Sequence, residues 1–143
     1  MAEGMTAPPY TREILRLAAS IPGQVRFDQL DGGSELRSPT CGSRLKLIVE
    51  TGADGQITRV SQAVEACAFG QAAASLMAAH AMGHTAEEIR QAVAGIEAWL
   101  GGSDDAAGSW PDLGVLEPAR SRKGRHGAIL LPFRALLAAL ESR

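Results

Sequence analysis

The sequence is poor in cysteine, in aromatic residues and in charge of one sign. Two cysteines in 143 residues, Cys41 and Cys67, are too few for the disulfide framework of a small secreted protein. A formal net charge of −2 gives no overall attraction to nucleic acid or to an anionic membrane surface. Aromatic residues make up 4% of the chain and none lies within the basic stretch at residues 120–126, which also argues against nucleic-acid binding.

Long uninterrupted hydrophobic runs are missing as well. The longest apolar stretch, residues 66–82, is broken by Gln71, Ser75 and His80, so we do not expect a membrane span. The start, MAEGMTAPPY, contains no basic region followed by an apolar core, so we expect no signal peptide and a cytoplasmic protein with reduced thiols. The P-loop, GxGxxG, GxSxG and HExxH motifs are absent, so the usual nucleotide-binding and hydrolase functions lack support.

The elements that are present predict an α+β fold: a three-stranded antiparallel meander with helices packed mainly on one face. We expect a flexible tail over residues 1–9 and a single domain over residues 10–143. In its first half, the hydrophobic pattern of that domain predicts a helix over 10–21, an edge strand within 24–30, a loop over 31–40 and strands over 43–50 and 56–65. A helix is expected after Cys67, and a Thr85–Glu88 capping box opens the next one. The last helix is expected near 128–142, where Pro132 is tolerable only within the first turn.

Both cysteines lie at predicted junctions between elements. Cys41 precedes Gly42 in a turn ahead of a strand, and Cys67 stands where a strand pattern changes to an alanine-rich helix pattern. The N-terminal end of a helix favours a thiolate, which is the form that binds metals or attacks sulfur. Cysteine is also among the most frequently buried residue types, so packing as a small hydrophobe stays an open alternative for each of them.

The histidines offer one further candidate ligand. His126 opens the last predicted helix, where a neutral imidazole could join two thiolates on a metal; a loop histidine beside a solvated charge cluster is the alternative. His80 and His84 have the spacing of a ligand pair on one helix face, but Gly83 is expected to end the helix between them. Arg120, Arg122, Lys123 and Arg125 are expected to form a solvated loop or a docking patch for an acidic partner.

The two cysteine segments together resemble the U-type iron–sulfur scaffold family, which comprises IscU, SufU and the N-terminal part of NifU. That family carries a Pro-x-Cys-Gly-Asp turn before a strand, and residues 39–43 of this chain read Pro-Thr-Cys-Gly-Ser. Its second cysteine opens a small-residue helix that passes a Ser-Leu or Ser-Met pair and ends at a glycine. Residues 67–83 keep that layout, with Ser75-Leu76-Met77 in register.

The chain departs from the family pattern near the third cysteine. Gly127 or Ala128 stands where that thiol is expected, His126 corresponds to the neighbouring histidine or basic residue, and Ser43 replaces the aspartate. Residues 116–120, Leu-Glu-Pro-Ala-Arg, look like a degenerate copy of the family's chaperone-recognition segment. Since a simple iron–sulfur cluster takes four protein ligands, the resemblance implies that Cys41, Cys67 and His126 need a fourth ligand from Glu65, a small thiol or another subunit.

The resemblance implies a scaffold rather than an enzyme in the turnover sense. Such a protein binds iron or a transient 2Fe–2S cluster, works with a cysteine desulfurase and acceptor apoproteins, and could retain a chaperone contact. Two alternatives stay open. One is a SufE-like acceptor of persulfide sulfur, in which Cys41 takes the sulfur and Cys67 only packs. The other is a regulatory protein that binds zinc or bare iron, because two cysteines and one histidine leave an open coordination position.

Overall fold

The structure is a computed structural model that describes residues 10–30, 32–38, 42–104 and 110–142. The predicted tail over residues 1–9 lies outside this range. The elements in chain order are helix α1 (Arg12–Ala19), a 3-10 turn (Phe27–Gln29), strands β1 (Ser34–Arg37), β2 (Arg44–Thr51) and β3 (Ile57–Glu65), helices α2 (Ala68–His80) and α3 (Ala86–Leu100), two further 3-10 segments (Leu113–Ala119 and Lys123–Arg125) and helix α4 (His126–Glu141).

The predicted α+β fold is confirmed. The three strands form one antiparallel sheet in the order β1-β2-β3. Leu45, Leu47 and Val49 alternate along β2 and are buried, which is the pattern expected of a strand with one face on the core. Helix α4 packs against β1 and β2, and α2 lies between α1 and α4.

The predicted edge strand is wrong in its position. Residues 24–30 contain only an isolated parallel bridge between Gln24 and Gln62, followed by the 3-10 turn. The edge strand is instead β1, which lies in the stretch predicted as a loop. Its only large apolar side chain, Leu36, is half-buried against the core, so pairing with β2 rather than a strong local pattern specifies this strand.

Helices α2 and α3 match their predictions. Helix α2 is buried along nearly its whole length, as expected for a helix that is apolar all round. It ends before Gly83, whose φ of 87° lies in the left-handed region that glycine tolerates. In the capping box of α3, Thr85 Oγ1 accepts from the backbone N–H of Glu88, and the Glu88 carboxylate accepts from that of Thr85.

Helix α4 differs from its prediction at Pro132. The helix begins at His126, so this proline occupies the seventh helical position rather than the first turn. Proline has no N–H and cannot donate to the carbonyl of Ala128, four residues earlier. That carbonyl faces α2, because a Cβ placed on Gly70 would lie 3.3 Å from its oxygen. No helix of the described part of the chain is long and apolar enough to cross a membrane.

Candidate metal centre

Two separate chain segments adjoin the same end of the sheet. The register pairs Arg44, at the start of β2, with Arg37 on one side and Glu65 on the other. Ser38, Gly42 and Ser43, the described residues of the connection from β1 to β2, therefore lie at the same end of the sheet as the exit from β3 towards α2. This connection contains Cys41, and the exit contains Cys67. The topology thus brings together the two segments that the sequence analysis singled out.

The connection between β1 and β2 is closed by its own backbone. The N–H of Ser38 donates to the carbonyl of Ser43 at 2.8 Å, and the N–H of Gly42 donates to the carbonyl of Ser38 at 3.2 Å. Gly42 has a φ of 72°, so it provides the sharp turn that its position after the cysteine predicts. Residues 39–41, and with them Cys41, lie outside the described residues. The place of the Cys41 sulfur therefore stays a prediction.

Cys67 occupies the N-cap position of α2. It is a free cysteine, half-buried, and it packs partly against the hydrophobic core. Its carbonyl accepts from the backbone N–H of Gln71 at 2.9 Å, while its side chain makes no capping hydrogen bond. The first N–H groups of α2, next to Cys67, lack partners within the helix.

His126 is the first residue of α4 and is half-buried. Its Nε2 lies 2.9 Å from the carbonyl oxygen of Arg120 and 3.1 Å from that of Ala119. Carbonyl oxygens only accept hydrogen bonds, so Nε2 carries a proton and Nδ1 is the nitrogen left to bind a metal. Histidine ligands of metals commonly donate their other ring N–H to a backbone carbonyl in this way.

The first turns of α2 and α4 are in direct contact. A Cβ placed on Gly70 would lie 2.7 Å from the Cβ of Ala66 and 3.3 Å from the Cβ of Ala128. A side chain at Gly70 would therefore collide with Ala66 and press against the first turn of α4. Cys67 lies three residues before Gly70, and His126 two residues before Ala128, so both candidate ligands belong to the same pair of contacting helix starts.

Arg44 and Glu65 form an ion pair beside these segments. The guanidinium donates to both carboxylate oxygens, from Nε at 2.7 Å and from Nη2 at 3.0 Å, and it lies over the ring of Phe27. The hydrogen bond from Arg44 lowers the pKa of Glu65 below its ordinary value, and the charge of Arg37 adds to the effect. Glu65 was one candidate for the fourth ligand. Glu65 could bind a metal only by giving up its bidentate ion pair with Arg44.

This ion pair was not predicted, although the sequence contains a signal for it. Arg44 lies near the start of the first strand of the predicted β2–β3 hairpin, and Glu65 ends the second strand. Counting outwards from the Asp54–Gly55 turn would have placed them side by side.

The basic stretch divides into two parts. The expectation of a solvated side chain is wrong for Arg120, because only 17% of this side chain is exposed. Its Nε donates to the carbonyl of Trp99 at 2.9 Å, and its guanidinium lies over the Trp99 ring. Arg122, Lys123 and Arg125 are exposed as expected. The carbonyls of Ala119 and Arg120 accept the hydrogen bonds of His126. Arg120 therefore fixes these two acceptors against α3.

The other two histidines do not form a ligand pair. His80 Nε2 lies 3.3 Å from Asp112, and His84 Nδ1 lies 3.4 Å from Glu88. Within residues 10–30, 32–38, 42–104 and 110–142, no three or more histidine, cysteine and acidic side chains are grouped so that they could hold a metal. Since Cys41 is outside these ranges, the predicted ligand set is not tested by that result.

The fold recurs in solved structures. The crystal structure of the N-terminal part of a nitrogen-fixing NifU-like protein from Brucella abortus superposes with a TM-score of 0.78 at 30% sequence identity, covering 92% of this chain and 91% of that one. No family model matches the sequence, and no curated protein is significantly similar to it.

Two more distant structures share the fold. A protein from Fervidobacterium islandicum, described as an iron–sulfur cluster assembly scaffold for the SUF system, has a TM-score of 0.80 at 19% identity over 92% of this chain and 96% of that one. A hypothetical protein has a TM-score of 0.70 at 22% identity over 90% and 94%. With 30% identity over nearly its full length to the Brucella protein, this chain belongs to the U-type family represented by the N-terminal part of NifU-like proteins.

Proposed function

We propose that this chain is a scaffold in iron–sulfur cluster assembly. It binds iron or a transient 2Fe–2S cluster at Cys41, Cys67 and His126 and passes it to acceptor apoproteins in the cytoplasm, with a cysteine desulfurase as the source of sulfur. The observation that carries the proposal is that Ser38 and Gly42, which flank the Cys41 segment, lie at the end of the sheet where β3 exits to α2, and that the first turn of α2 contacts that of α4. The chain performs no turnover chemistry of its own on this proposal.

The donor set supports this cargo. Thiolates are the usual ligands of iron–sulfur clusters, and histidine replaces cysteine in some of them. The hydrogen bonds from His126 Nε2 to two carbonyls fix the ring and leave Nδ1 for iron. Two thiolates and one imidazole are fewer than the four ligands of a simple cluster. A weakly held cluster suits a protein that must hand its cargo on.

Anaerobic reconstitution tests the proposal. Protein incubated with ferrous iron, cysteine and a cysteine desulfurase should develop visible charge-transfer absorption and contain iron and acid-labile sulfide. Cys41→Ser and Cys67→Ser should each abolish the absorption. His126→Gln should weaken it, whereas His84→Gln is the matched control and should leave it unchanged. A colourless wild-type protein that binds no iron would overturn the proposal.

One observation favours the sulfur-acceptor alternative. Cys67 packs partly against the hydrophobic core, as it would if its role were structural and Cys41 alone accepted persulfide sulfur. Mass spectrometry after incubation with a desulfurase separates the two functions. An acceptor gains sulfur on Cys41, and Cys67→Ser does not reduce that gain. For a scaffold, Cys67→Ser abolishes cluster binding.

The zinc alternative rests on the same donor set. Two thiolates and an imidazole also suit zinc, with a fourth position left open. Metal analysis of protein isolated without air distinguishes the two. Zinc without sulfide supports a regulatory zinc protein, and iron with sulfide supports the scaffold.

A further inference from the structure

A cavity of about 430 Å³ opens between two segments that adjoin candidate ligands in the sequence. It lies between the end of β1 and the start of α4. Ser38, which closes the turn containing Cys41, lies in one wall, and Gly127, which follows His126, lies in another. The size is within the range of small-molecule sites, about 300–1,000 Å³. Three leucines supply its apolar surface, Leu36, Leu130 and Leu131.

The rim of this cavity is basic. Arg37, Lys123 and Arg134 reach it from three different elements, and the described residues that line it include no acidic side chain. Arg134 pairs with Glu97 at 2.6 Å, and Arg37 with Glu35 at 3.4 Å. Lys123 makes no ion pair with any of the described residues. The rim therefore has three cationic side chains and only two carboxylates paired with them. This local excess of positive charge favours an anionic ligand, although the net charge of the whole protein is −2.

The proposed ligand set of the metal centre is one donor short. Cys41, Cys67 and the Nδ1 of His126 are three donors, and a simple iron–sulfur cluster needs four. Both carboxylate oxygens of Glu65 already accept from Arg44. Gly127 adds no side chain next to His126, so the wall there is bare backbone.

We propose that the cavity binds a small thiol carrying carboxylates, whose sulfur completes the ligand set. Its carboxylates pair with the cations of the rim, and its apolar part lies on the leucines. On binding, the thiol releases its proton to water and its sulfur donates an electron pair to iron, with no change of oxidation state. This inference rests on the proposed scaffold function and names the exogenous ligand of that site.

The first test needs no metal. Reduced glutathione, the probe for this class of thiol, is titrated into the anaerobic apoprotein by calorimetry. Lys123→Ala should weaken binding about fivefold, the upper range for one exposed charge contact. Arg59→Ala is the matched control, since it removes one exposed cation near the opposite end of the sheet, and it should leave binding unchanged. Equal weakening by both variants, or no binding to the wild type, would overturn the inference.

The second test uses the loaded protein. The cluster is reconstituted from ferrous iron and inorganic sulfide, so that no cysteine is present, with glutathione, with S-methylglutathione or with neither. The half-life of its visible absorption is measured after unbound reagents are removed. Glutathione should lengthen the half-life severalfold, and S-methylglutathione should not, since its sulfur is blocked. Gly127→Cys, checked for folding by circular dichroism, should hold the cluster without added thiol.

The outcomes separate this inference from the proposed function. A wild-type cluster that is equally stable without added thiol contradicts the inference and leaves the scaffold function standing. Equal protection by both glutathione forms also contradicts it, because the cavity would then bind an anion without supplying a ligand. If neither the wild type with glutathione nor Gly127→Cys holds a cluster, the scaffold function itself is wrong.

Discussion

The two ends of the sheet are built in different ways. In the turn of the β2–β3 hairpin, residues close in sequence make the hydrogen bonds: the N–H of Gly52 donates to the carbonyl of Gln56 at 2.9 Å, that of Gly55 to the carbonyl of Gly52 at 3.0 Å, and that of Gln56 to the Asp54 side chain at 3.0 Å. At the other end, the turn near Cys41, the start of α2 and the start of α4 come from distant parts of the chain. Local chemistry fixes the first end, whereas packing of the whole domain assembles the second.

The largest expected effect is at the assembled end. Gly70→Leu places a side chain where a Cβ would already lie 2.7 Å from Ala66 and 3.3 Å from Ala128. Overpacking of this kind costs about 1–3 kcal/mol, and it separates the helix starts that carry Cys67 and His126. We expect lower stability in urea unfolding and also loss of cluster binding in protein that is still folded. Unchanged cluster binding would show that the contact between α2 and α4 does not position the ligands.

A smaller effect is expected at the hairpin end. Gly55 has a φ of 81° and open space around its missing Cβ, so Gly55→Ala suffers only from the left-handed backbone, at about 1–2 kcal/mol. Urea unfolding should show this loss, while cluster yield per folded molecule stays at the wild-type level. A reduced yield would mean that the two ends of the sheet are coupled.

The smallest effect on stability is expected for Glu65→Gln, because exposed ion pairs contribute little. Arg44 lowers the pKa of Glu65 below the ordinary value of 4.5, so the folded state favours the carboxylate. Its contribution is complete above that ordinary value and is lost as the pH falls through the lowered pKa. Unfolding curves of wild type and variant should therefore differ at pH 7 and converge in acid. A difference that grows in acid would contradict this assignment.

The sequence alone predicts the parts of the fold that local chemistry determines. The alternation along β2, the Asp54–Gly55 turn and the Thr85–Glu88 capping box are correct because each depends on residues within a few positions of one another. Strand β1 was not predicted, because its local hydrophobic pattern is weak and its pairing with β2 specifies it instead. Pro132 was misjudged because the helix start at His126 depends on contacts with the preceding 3-10 segments.

The candidate site follows the same division. The two cysteine segments are recognisable from their neighbours in sequence. The strand register then places Ser38 and Gly42, which flank the Cys41 segment, at the same end of the sheet as the exit towards Cys67. The protonation of His126 Nε2, the inward turn of Arg120 and the basic cavity beside Gly127 depend on residues far apart in the chain. No local pattern encodes them.

Cobalt titration of the anaerobic apoprotein tests the central claim most directly, since it asks whether Cys41 and Cys67 bind one ion together. We predict one cobalt ion per chain with strong sulfur-to-cobalt charge-transfer absorption, and a loss of both affinity and intensity in Cys41→Ser and in Cys67→Ser alike. Absorption that survives in either variant at full intensity would show that the two thiols do not share an ion, and it would contradict the account.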